Sequence, residues 1–339
     1  MTGLRLLLVG AMLLLFSGAM TAGDEGELEV SHRIGGTVQS WFSFQQGDSV
    51  SNAGFGIRRA RVRYYGAVNK KIKVFAQADL VSNGLAGKML DARVEYHFNP
   101  QFNVRMGRFV GVGPRGGGQT LHSMIDIVER AYSAIRWASN TVGADYRVFG
   151  FQAEAKNDIG IARINVHNGT GDLNVLNRAG GTSTVERTPK AIAGQLIFKP
   201  KTVKGLEAGG HFDQGNDQVK DWSSYSAYAY FEPGPYRVKA EVIGVTNKAE
   251  GLEDRSSLGF YGFAAYAVTP HIEVLGRFEQ YDPNTDGDDD GITFITLGAA
   301  YWEKLGKLNH KLTAAVVLPS EQGTSVDNTT VYAMWQFLW

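Results

Sequence analysis

The chain has 339 residues, 34 basic and 34 acidic side chains, and no cysteine. The missing thiols exclude disulfides, zinc–thiolate centres, iron–sulfur clusters and attached c-type haem, and the zero formal charge argues against a general nucleic-acid binder. Glycine and aromatics are plentiful and proline is scarce, a composition that suits many strands joined by turns.

At the start, Arg5 precedes an apolar run from Leu6 to Phe16, and small residues follow in "SGAMTAG". This is the layout of a secretory signal, with cleavage expected near Ala22. Residues 1–22 are therefore read as a signal peptide and 23–339 as the mature domain. The apolar run falls short of the roughly twenty residues that span a bilayer, although a membrane anchor is the alternative reading. No later segment approaches a transmembrane helix, so a membrane-embedded mature chain would have to be a barrel.

The stretch "FGIRRARVRYYGAV" (55–68) packs four arginines into positions 58–63, yet it is rich in strand-favouring residues. Period-2 alternation resolves the conflict. Ala60, Val62 and Tyr64 form one face, and Arg59, Arg61 and Arg63 the other, with Arg58 expected near the external rim. In "KKIKVFAQADL", Ile72, Val74, Ala76, Ala78 and Leu80 alternate with Lys71, Lys73, Phe75, Gln77 and Asp79. "DARVEYHF" sets Ala92, Val94, Tyr96 and Phe98 against Asp91, Arg93, Glu95 and His97. Such alternation predicts strands with one apolar and one wet face.

The fifth strand carries Arg105, and a long segment from Gly111 to Asn140 follows it. Ile125, Val128, Tyr132 and Ile135 are spaced like one face of a short helix. A loop of this length is usually functional or disordered, and its apolar face predicts inward packing. Arg115, Glu129, Arg130 and Arg136 would then supply charges at a constriction. "GPRGGG" within it lacks the lysine and Ser/Thr of a phosphate-binding P-loop.

Further along, Arg163, His167, Arg237, Lys239, Arg277 and Lys311 share the wet-face pattern with Glu241, Glu273 and Glu279. "DPNTDGDDDG" places Asp282, Asn284, Asp286 and Gly287 at the opening spacing of a calcium loop, with Asp288 and Asp290 beyond, but Thr293 stands where the closing glutamate belongs. A solvated acidic loop is the plainer account; a divalent cation bridging it to lipopolysaccharide is the other. The histidines are scattered, none lies in a hydrolase motif, and neither catalysis nor a cofactor is expected. The chain closes on "VYAMWQFLW", whose one-sided aromatics fit an interfacial girdle.

About sixteen strands can be marked, and their connections alternate short with long. Tight turns such as "NK", "NP", "ND", "EPGP" and "TP" are interleaved with extended polar loops, the asymmetry of an outer-membrane barrel. The expected fold is an all-β, antiparallel transmembrane β-barrel with an inward-folded third extracellular loop. A charge facing lipid at midplane costs about 2–4 kcal/mol, so Arg59, Arg61, Arg63, Lys71, Lys73, Arg93 and Arg105 would project into a water-filled lumen. Two readings of that wall stand open: a guiding track for anions, or a transverse field of arginines facing acids.

The ordered pieces "FGIRRARVRYYG", "LDARVEYHFNPQFNVRMGRFVG", "IVERAYSAIRWA", "INVHNGTG", "GFYGFAAYAVTPHIEVLGRFEQYDP" and "TLGAAYW" run over nearly the whole mature chain. Together they resemble the phosphate-selective porin O/P family of Gram-negative outer-membrane channels. The resemblance implies passive diffusion of small hydrophilic solutes through a sixteen-stranded channel, commonly trimeric, with arginine and lysine rows guiding anions. Lipid and lipopolysaccharide would surround it. Arg59, Arg61 and Arg63 match the family's arginine-rich second strand, whereas the third loop carries arginines and no lysine cluster. A barrel that sheathes or tethers a partner protein is the alternative, separated from a porin only by an open lumen.

Overall fold

The computed structural model describes residues 29–47, 50–81, 87–169, 190–216, 219–249, 251–287, 289–303, 309–323 and 328–339. The expected signal peptide lies outside them. The first five strands are β1 (Val30–Gln45), β2 (Asn52–Val68), β3 (Ile72–Asp79), β4 (Lys88–His97) and β5 (Phe102–Val110). After the long segment come β6 (Arg147–Lys156), β7 (Gly160–His167), β8 (Ala191–Phe198), β9 (Leu206–Asn216) and β10 (Lys220–Phe231). The last six are β11 (Tyr236–Ala249), β12 (Arg255–Ala267), β13 (Ile272–Asp282), β14 (Ile292–Trp302), β15 (His310–Glu321) and β16 (Thr330–Leu338). Every strand pairs antiparallel with its sequence neighbours, and β1 closes on β16. The result is a closed sixteen-stranded barrel with no free edge.

Closure ends at a tight contact. Gly36 N–H donates to the carbonyl of the terminal Trp339 at 3.1 Å. A Cβ on Gly36 would fall inside the Trp339 indole, so only glycine admits the ring against β1.

Alternation places apolar side chains outward along every strand. Ile34, Val62, Met106, Leu196, Phe212 and Leu297 are exposed and make up part of a lipid-facing band. Trp335, Phe337, Trp339, Tyr236, Tyr266 and Tyr301 mark its border on the short-turn side. The alternation of short and long connections fails once: β9 ends at Asn216 and β10 resumes at Lys220. Gly215 and Asn216, which end β9, are turn-favouring residues.

The segment between β5 and β6 packs against inward-facing side chains. It contains a short 3₁₀ turn (His122–Met124) and one α-helix, α1 (Tyr132–Asn140). Ile127, Val128, Ala131, Ala134, Trp137, Ala138 and Val142 form a core with the inward residues Ile243, Val245, Phe263, Ala265, Leu275, Ala300 and Ala315. The inner wall is therefore divided. β11–β16 present an apolar seat for the segment, with Lys239, Arg277 and Lys311 engaged by the segment itself, and the arginine-rich row runs along β2–β7.

The helix is shorter than the apolar spacing predicted. Ile125 and Val128 are buried but not helical. Lys311 Nζ binds the carbonyls of Ile125 and Asp126 at 3.0 and 2.9 Å, and Arg277 binds those of Glu129 and Arg130 at 2.9 and 3.3 Å. Wall side chains, rather than helical N–H groups, supply the donors to these carbonyls. The buried face of α1 is instead Ser133, Ala134, Trp137 and Ala138.

Candidate functional site: the basic wall of the lumen

The β1–β2 register sets the arginines inward. Gly35 pairs with Arg63, Thr37 with Arg61 and Gln39 with Arg59, after which the pairing jumps to Ser40 with Ile57. The residue left over is Arg58, so β2 bulges there. A bulge re-aims the side chain it adds, and Arg58 turns toward the lumen, its guanidinium 5.5 Å from the Trp41 ring centroid. Period-2 counting has no means of registering such a bulge, which is what lets Arg58 share the inward face with its neighbour Arg59.

Each arginine is held by a defined partner. Arg59 donates to Gln39 Oε1 at 2.9 Å and Arg61 to Asp79 Oδ2 at 2.8 Å. Arg63 donates to the Gly36 carbonyl at 2.9 Å and to the Thr37 hydroxyl. The row continues on β4, β5 and β7. Arg93 meets Glu95 at 2.7 Å, Arg105 meets Glu154 at 3.6 Å, and Arg163 meets the same Glu154 at 2.7 Å. Arg147 donates to Asp91 at 3.1 Å. Lys73 faces inward but stands exposed at the end of β3, and Lys71 lies in the β2–β3 turn rather than on the wall.

The charges expected in the loop do different things. Glu129 pairs with Arg58 and lies 3.5 Å from Arg59. Arg115 reaches Glu207 at 2.6 Å, while its own N–H and that of Gly116 donate to Glu241. Burial disfavours the Arg115 cation, but Glu207 more than compensates and holds its pKa above the usual value. Arg130 donates to the carbonyls of Gly116, Gly117 and Thr120, so it fastens the loop to itself. Arg136 lies on α1 with its Nε buried and without a hydrogen bond.

Between this loop and the β2–β4 wall lies a cavity of about 720 Å³. Arg58, Arg59, Arg61, Lys88, Arg130 and Arg147 line it, against Asp79, Glu129 and Asp145. His122 also lines it. Burial, together with the Arg61, Arg59 and Arg63 cations, pushes the His122 imidazole far below its ordinary pKa, so it adds no charge. His122, Lys88 and Arg147 were missed from sequence, because residues at loop ends carry no periodic signal. An apolar groove of about 620 Å³ on the outward face, beside Leu196 and Phe198, contains no lumen-wall arginine.

The acidic loop at Asp282–Gly291 is organised by its own backbone: Asp282 accepts from Asn284 N–H at 2.9 Å. Among the described residues no group of His, Asp and Glu side chains is arranged to hold a metal ion. Asp288 lies outside them.

A family model for phosphate-selective porins O and P matches residues 32–313. No curated protein matches the chain. Among solved structures, the anion-selective porin from Comamonas acidovorans superposes with a TM-score of 0.72 at 15% identity, covering 92% of this chain and all of the other. The trimer form of OmpT from Vibrio cholerae gives 0.64 at 10% identity, over 91% and 99% of the two chains. OmpF of Salmonella typhi, in complex with daunomycin, gives 0.67 at 10% identity, over 91% and 97%. At such identities these likenesses speak for the fold.

Proposed function

The chain belongs to the phosphate-selective porin O and P family, an outer-membrane porin, and from that premise we propose that it passes small hydrophilic anions by passive diffusion. The observation that carries this reading is the cavity beside β2, where six cationic side chains face three carboxylates. Guanidinium groups keep their charge and suit carboxylate and phosphate oxygens. The loop between β5 and β6 narrows the passage from the opposite side, leaving the basic wall as the surface a solute meets. The family is one of channels, and no catalytic step is assigned. Export through a cleaved segment at residues 1–22 and assembly as a homotrimer, the form of the Vibrio cholerae OmpT structure, complete the proposal.

The test is the zero-current potential of single channels in a salt gradient, with phosphate then added as a blocker. An anion-side potential is expected, and Arg61→Glu should move it toward cations. A cation-side potential in the native channel, or no effect of Arg61→Glu, would reduce the arginines to scaffold charges. Absence of conductance would favour a barrel that sheathes a partner.

A further inference from the structure

Glu129 sits where a permeating oxyanion would bind. Its two carboxylate oxygens take Arg58 Nε and Nη2, the second at 3.1 Å, in the forked geometry that guanidinium offers any carboxylate or phosphate. Arg59 Nη2 is 3.5 Å from the same carboxylate. The side chain of Glu129 remains 22% exposed and lines the cavity.

The backbone beneath it is fixed independently of this pair. Arg277 holds the Glu129 and Arg130 carbonyls, Ile127 and Val128 are sunk in the core, and the Arg130 guanidinium is tied to three loop carbonyls. Arg58 is likewise kept in place by Trp41. Releasing the carboxylate therefore requires a side-chain rotation and no movement of the loop.

We propose that Glu129 is an internal counter-anion: it occupies the Arg58–Arg59 site when the channel is empty, and a passing oxyanion exchanges with it. This rests on the anion-channel reading above. Exchange keeps the two guanidiniums from standing unpaired in a partly buried site, and it limits how tightly the solute is held. A channel needs binding favourable enough to enter and weak enough to leave.

Inorganic phosphate is the probe. In single-channel recordings Glu129→Gln should tighten phosphate block about tenfold, the scale expected when a competing charged pair is removed. Loss of any negative charge would also raise anion affinity through the field alone, so two further variants decide. Glu129→Asp keeps the charge but is too short for the fork on Arg58, and exchange predicts tighter block in this variant as well. In an Arg58→Gln background the gain from Glu129→Gln should nearly vanish, as coupled partners require. An unchanged block in Glu129→Asp, or the full gain persisting without Arg58, would overturn the exchange while leaving an anion-selective channel intact. A cation-side potential in the native channel would remove the premise instead.

Discussion

Asp126 shows how a single side chain can fix the position of a long loop. Its carboxylate meets Lys239 Nζ at 2.9 and 3.1 Å and also pairs with Arg237. Burial alone would raise its pKa, but Lys239 and Arg237 outweigh that and hold it at about 2, below the ordinary 3.8. A depressed folded-state value means that the unfolded chain binds the proton more readily, so acid destabilises. The linkage amounts to roughly 2 kcal/mol. It is fully present above the unfolded value near pH 4 and is lost as pH falls through about 2. Conductance should therefore be steady from pH 8 to 4 as far as this anchor is concerned. Asp126→Asn should lower the urea midpoint at pH 7 and show a smaller loss of stability between pH 4 and 2. An equal acid response in both proteins would assign the anchor elsewhere.

The helical part of the segment between β5 and β6 is stapled from outside, while Arg130 ties the stretch before it together from within. α1 has no side-chain cap at its start, and a helix of nine residues is marginal by itself. Trp137 is the main anchor, with its indole N–H on Ser224 at 2.7 Å and its ring edge-on to His211. Arg277 fastens the stretch before the helix. Arg277→Met should loosen that stretch, giving larger and noisier single-channel conductance with the barrel still formed; unchanged conductance would mean that the core around Val128 suffices. The strands themselves were legible, because alternation from Ile72 to Asp79 or from Ala92 to His97 is dictated by two solvents on two faces. The inward orientation of Arg61, Arg93 and Lys311 followed from the same rule. What alternation could not reveal was the bulge at Arg58 and the true start of α1. The first depends on one inserted residue and the second on partners distant in sequence, and neither leaves a local period.

On the scale of the whole barrel, the division of the inner wall decides how the charges act. The apolar inward residues of β11–β16 are covered by the loop, so water and ions are left to the face built by β2–β7. Much of the positive charge there is matched by nearby carboxylates, as in Arg61–Asp79 and Arg93–Glu95. Selectivity must then come from a modest local excess, six cations against three carboxylates around the cavity, rather than from net charge, which is zero for the chain. A modest excess is felt over about one Debye length, roughly 10 Å at 0.1 M salt and 3 Å at 1 M. The zero-current potential should therefore lie well on the anion side in dilute salt and shrink as salt rises toward 1 M. Phosphate block should weaken less over the same range, since forked guanidinium contacts act at hydrogen-bond distance, inside the screening length. Should the potential hold constant across that range, selectivity would have to arise from bare contact at the narrowest point. Should block and potential fall together, the arginines would act only through their field.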